Sequence, residues 1–266
     1  MIGPTPFLDF FKRGEVARDV RLLAAQGSLA PRAYEQLAML IILVEDQDRE
    51  VRETAEETLN GLPLESLQEF LARSDIPGSM REFFAGRGVF PAEVPAIEAE
   101  VEEPLLDTSA PVEPDELGDL AELDGDDREA TFQRLAKMGF PERIRAAMKG
   151  TKEMRAILIR DPNKMISAAV MSSPKLTEQE VETFARMATL PEDVLRTIAQ
   201  NRVWLKNYSI VLGLTKNPKT PMALSMNLLP RLNTRDMAQL SVDRNVPEAL
   251  RIAARKKTVA STSGKG

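Results

Sequence analysis

The 266-residue sequence predicts an all-α protein, an α-solenoid stacked in a right-handed sense, preceded by a small helical domain and an acidic linker. Three observations predict it. First, the carboxy-terminal half repeats at an offset of 56: Pro162 aligns with Pro218, Pro174 with Pro230, Lys175 with Arg231, Leu176 with Leu232, Glu180 with Asp236, Pro191 with Pro247 and Glu192 with Glu248. Periods of 20–50 residues or slightly more mark stacked helical units that bury apolar faces against their neighbours. Second, prolines punctuate amphipathic stretches at regular points. Third, no alternating apolar and polar run of strand length occurs.

Residues 1–90 read as helices, with breaks at Gly14, at Gly27 to Pro31, near Glu45 to Asp48, at Gly61 to Pro63 and at Ile76 to Gly78. Tyr34, Leu37, Ala38 and Ile41 fall at helical spacing, and the apolar run from Leu37 to Val44 marks the core helix of this domain. Asp48 is placed to cap the next helix, whose stripe is Val51, Ala55 and Leu59.

Residues 91–129 change character. Fifteen carboxylates lie between 93 and 129 against one arginine, and Pro91, Pro95, Pro104, Pro111 and Pro114 are scattered among them. Such a segment cannot bury enough apolar surface to offset its ordering entropy, and it reads as a disordered linker with a reach of roughly 30–35 Å. Its charge is −14, between −5 for residues 1–92 and +13 for residues 130–266. Leu117, Leu120 and Leu123 sit at helical spacing, which allows a docking helix within an otherwise solvated spacer.

Residues 130–257 form the expected solenoid of about nine helices, and 258–266 a disordered tail. Pro-Glu recurs at 141, 191 and 247, each time opening an amphipathic stretch. Proline suits the first helical turn, where its missing N–H costs nothing, and the glutamate beside it complements the helix dipole. Between these openings lie DPNK and NPKT, then SPKLT and PRLNT, where Thr177 and Thr234 are the expected caps. Nine of the twelve methionines fall between 138 and 237, as adaptable packing between repeats would use them.

The turns in SPKLTEQEV and NPKTPMALS, where short helices follow S-P or N-P, resemble bacterial α-solenoids of the HEAT-like and leucine-rich-repeat-variant kind. The resemblance covers residues 140–257, with a fainter HEAT-like match over 31–72 through the string D-x-x-V-R-x-x-A-x-x-x-L from Asp48. It implies a curved stack of helices and an interaction role. Some leucine-rich-repeat-variant proteins carry a cysteine-ligated iron–sulfur cluster. With no cysteine here, nothing of that redox chemistry transfers.

The absence of histidine and cysteine removes imidazole acid–base chemistry, thiolate nucleophiles, disulfides and cysteine-ligated metal. Glu178, Glu180 and Glu182 read as a solvated helix face. Asp124, Asp126, Asp127 and Glu129 lack the glycine and terminal glutamate of a calcium loop, and Gly86-Arg87-Gly88 lacks the third glycine of a phosphate cradle. The chain is therefore expected to be no enzyme and to carry no cofactor. Lacking a secretion signal or a membrane-length apolar run, it is expected to be cytoplasmic and away from membranes.

Candidate partner contacts are the cations Arg143, Arg145, Lys149, Lys152, Arg155, Arg160 and Lys164, and the aromatic pair Trp204 and Tyr208, one helical turn apart. For the cations the alternatives are solubilising charge, an anionic partner, or the chain's own linker, held beside them at high effective concentration. For the aromatics the alternative is core packing. The expected function is a scaffold or regulatory adaptor that binds a protein partner on the solenoid surface, with the acidic linker modulating access. The second expectation is nucleic-acid binding through the basic face.

Overall fold

The computed structural model describes residues 5–30, 32–93, 104–106 and 127–263. Among them there is no strand, and sixteen α-helices are present. They are α1 Pro6–Lys12, α2 Arg18–Ala25, α3 Ala33–Leu43, α4 Arg49–Asn60, α5 Leu64–Ala72 and α6 Gly78–Ala85 before the linker. After it come α7 Asp127–Lys137, α8 Phe140–Lys149, α9 Lys152–Leu158, α10 Lys164–Met171, α11 Glu178–Arg186 and α12 Glu192–Gln200. The last four are α13 Tyr208–Lys216, α14 Met222–Leu228, α15 Thr234–Leu240 and α16 Glu248–Ser263. Several span only seven or eight residues, about two turns.

The chain divides into two compact units, residues 1–158 with 168–175, and residues 159–167 with 176–266. The division falls later in the chain than the boundary expected near 130. Its cause is a set of bonds that hold residues 172–175 in the first unit: Phe7 N donates to Ser172 Oγ at 3.3 Å, and Ser173 Oγ donates to the Met148 carbonyl at 2.7 Å.

In the first unit, α3 is the central helix the apolar run predicted. Leu37, Leu40 and Leu43 are fully buried, each worth about 1.5–3 kcal/mol relative to exposure, and α1 and α4 pack against the same helix. Asp48 caps α4 as expected, accepting from Val51 N at 3.2 Å. Gly27 ends α2 with φ at 80°, a left-handed conformation that glycine adopts without steric cost. The helices α5 and α6 are joined by Arg81, which donates to the carbonyls of Leu71 and Arg73.

The 56-residue offset is visible in the helices. Lys152, Lys164, Glu178 and Glu192 begin α9 to α12, and Tyr208, Met222, Thr234 and Glu248 begin α13 to α16, in register to within two residues. Equivalent positions are buried alike: Met154 and Ile210, Leu158 and Leu214, Phe184 and Leu240, Leu190 and Val246, Ile198 and Ala254. In the second unit α11 contacts α12, α12 contacts α13, α13 contacts α14 and α15 contacts α16, and α11 also packs on α13 and α14 on α16. Gly213 permits the first of these approaches, since a Cβ there would stand 3.1 Å from Arg186 Cγ and 3.3 Å from Ala185 Cβ.

Two expectations need correcting. The cap of α15 is Asn233, which accepts from Asp236 N at 2.7 Å, while Thr234 is already the first helical residue. Asn233 is the 56-residue equivalent of Thr177, which does cap α11, so repeat register would have chosen correctly where proximity to Pro230 did not. The final helix also continues past Lys257 to Ser263, because nothing before Gly264 interrupts it. The expected linker disorder, and the leucines 117, 120 and 123 within it, lie almost wholly outside the described residues.

Candidate partner-binding surface

The first unit positions the early cations on α8 and α9. Arg143, Arg145 and Lys149 are half-buried on α8, and Lys152 is exposed at the start of α9. Arg155 behaves differently. It is 4% exposed, and its guanidinium donates to the carbonyls of Gly150 at 2.8 Å and Lys175 at 3.2 Å. It braces backbone in the interior and is not displayed to a partner. Gly150, whose carbonyl Arg155 reaches, has no room for a side chain: a Cβ there would lie 2.3 Å from the Ala146 carbonyl oxygen and 2.8 Å from Met154 Sδ.

Arg160 and Lys164 belong to the second unit and are exposed. Lys164 Nζ pairs with Asp193 at 2.7 Å, and Arg160 lies 3.5 Å from Met187 Sδ. The basic run from 143 to 164 is thus divided between the two units, with one member buried and one neutralised.

The aromatic pair is held by the second unit. Trp204 opens a short 3₁₀ turn and is half-buried, while Tyr208 opens α13 and is 39% exposed. The Tyr208 hydroxyl donates to Asp236 Oδ2 and accepts from Asn233 N at 3.2 Å, which locks the ring onto the cap of α15. Desolvation, helped by the bond to Asp236, raises the phenol above its ordinary pKa. Exposed arginines and lysines are more numerous after Asn201 than in the run singled out from the sequence. Arg202, Lys206, Lys219, Arg235, Arg244, Arg255, Lys256 and Lys257 are all exposed in this unit.

Two important side chains carried no obvious signal in the sequence. Asn217 is 4% exposed and donates from Nδ2 to the carbonyls of Ala185 at 2.9 Å and Met187 at 3.0 Å, while its Oδ1 accepts from Lys219 N at 3.0 Å. The equivalent Asp161 accepts from Asn163 N in the same turn, so the NPK and DPNK turns share one backbone solution. Gln36 is buried in α3 and bonds to the backbone of Leu106.

Among the described residues no group of three or more acidic side chains is placed to hold a metal ion, and no helix is long and apolar enough to cross a membrane. Compared with models of known families, with curated proteins and with solved structures, the chain shows no match.

Proposed function

We propose that the chain is a non-enzymatic scaffold or regulatory adaptor, an α-solenoid whose repeated helices present a surface to a protein partner, with the acidic segment 91–129 modulating access. The observation that carries this reading is the repetition of α9 to α12 by α13 to α16, with equivalent buried positions. Repeated helices whose inner faces are filled by one another leave their outer faces for partners. The likeness to HEAT-like and leucine-rich-repeat-variant solenoids supports the same architecture.

Nucleic-acid binding is the second reading, and the exposed cations after Asn201 favour it. The test is a titration of fluorescent duplex DNA with the full chain in which the carboxylates of 93–129 are replaced by their amides, leaving Pro104, Leu105 and Leu106 in place. The adaptor reading expects no saturable binding at low salt. Binding that falls by about 10³ or more between about 50 and 200 mM salt, the mark of several phosphate contacts, would transfer the proposal to nucleic acid.

A further inference from the structure

Between residues 94 and 126 only Pro104, Leu105 and Leu106 are described, and they lie on the first unit. Leu106 N–H donates to Gln36 Oε1 at 3.1 Å, and its carbonyl accepts from Gln36 Nε2. One side-chain amide therefore pairs both backbone groups of one residue, as a neighbouring strand would. Gln36 is 1% exposed, and its Nε2 also donates to the Gly27 carbonyl at 3.3 Å. That third bond fixes which way the amide faces, and it depends on the left-handed Gly27 that turns the chain out of α2.

The three linker residues are half-buried. Proline at 104 locks its own φ, so that residue has little backbone freedom to lose on reaching the site. Glu102, Glu103 and Asp107 flank it in sequence, and Arg32 stands one helical turn before Gln36 at the start of α3. A buried amide aimed at a backbone reads main chain, and the two leucines supply the apolar contact.

We propose that Gln36 is the centre of a peptide-recognition site on the first unit, whose ligand is a Pro-Leu-Leu segment bent at its middle residue and flanked by carboxylates, supplied in this chain by its own Pro104 to Leu106. This goes beyond the adaptor reading, because the site is built from residues of the first unit alone and stands or falls without the second. A tether of the length of residues 94–103 gives an effective concentration of about 1 mM or a few times more. A segment that fills the site from that tether binds it in trans with a dissociation constant no weaker than that.

The test uses a fluorescent peptide with the sequence of residues 101–109, titrated to roughly 5 mM on the full chain and on its Leu106→Pro variant, which lacks the donated N–H. The expected result is binding to Leu106→Pro at least about tenfold tighter than to the unaltered chain, whose site is already filled. A second peptide, N-methylated at Leu106, is titrated on the same variant and loses at least about tenfold, so the role of one N–H is read with the protein unchanged. Gln36→Met in the Leu106→Pro background, checked for folding by circular dichroism, abolishes binding. Equal binding to the unaltered chain and Leu106→Pro overturns the proposal, as does no binding to Leu106→Pro at the highest concentration, or indifference to N-methylation. A concentration-dependent dimer of the unaltered chain that Leu106→Pro dissolves overturns the cis assignment, because the segment then comes from a second copy.

Discussion

Replacing Asn217 with alanine tests how the second unit joins one repeat to the next. The side chain donates to the carbonyls of Ala185 and Met187 at the end of α11 and accepts from Lys219 N in the turn after α13. Alanine deletes all three bonds at a site that is 4% exposed. Leaving a buried polar group unsatisfied costs about 1–3 kcal/mol. The bond to Ala185 is buried and those to Met187 and Lys219 are part-buried, so a loss of about 2–4 kcal/mol is expected. With a urea slope of about 2 kcal/mol/M, that lowers the unfolding midpoint by about 1–2 M. Asn217→Asp keeps the turn acceptor and sets a carboxylate against two carbonyls. It is expected to destabilise at least as much as alanine at neutral pH and to recover part of the loss in acid, when the carboxyl becomes a donor. Urea unfolding followed by circular dichroism at neutral and acidic pH measures both. A midpoint shift below about 0.3 M for alanine, or an aspartate as stable as asparagine, would refute the reasoning.

The same physics predicts other outcomes. Arg155→Met, which removes the buried brace to the Gly150 and Lys175 carbonyls, lowers stability by about 2–4 kcal/mol, whereas Lys152→Ala on the exposed start of α9 stays within about 0.5 kcal/mol; denaturant curves of the two separate structural from displayed cations. Gly150→Ala forces a methyl into the Ala146 carbonyl and Met154 and is expected to destabilise by about 2 kcal/mol or more, read from thermal unfolding. The Arg73 guanidinium, bonded in two places to Asp75, holds that carboxyl below its ordinary range. Its contribution is fully present above the unfolded carboxyl pKa of about 4 and is lost as pH falls through the lower folded value. The stability gap between the unaltered chain and Asp75→Asn is therefore constant above about pH 5 and closes in acid; a gap that widens in acid contradicts the pairing. Tyr208→Phe frees Asp236 and the cap of α15, costing about 1 kcal/mol.

Much of the fold was legible in the sequence because its rules are local. Proline and glycine punctuation placed the breaks before α2, α3, α5 and α6, and Pro191 and Pro247 marked the starts of α12 and α16. The offset of 56, read from aligned prolines and glutamates, matches the starts of α9 to α12 to those of α13 to α16 to within two residues. What escaped was tertiary. Arg155 looks like its cationic neighbours in sequence, and what sets it apart are its bonds to the carbonyls of Gly150 and of Lys175, 20 residues on. Gln36 stands beside Glu35 just before the apolar run of α3, where a polar pair at a helix start carries no signal, and its partner lies 70 residues away. The unit boundary escaped for the same reason, since residues 172–175 are held by α1 and by the end of α8.

The most direct measurement of the adaptor account is capture from lysate by the full chain, run beside the linker-neutralised chain, with nuclease-treated and untreated lysates in parallel. The account predicts the same protein partner in both lysates, captured more efficiently once the linker carboxylates are gone. Capture that disappears on nuclease treatment would contradict it.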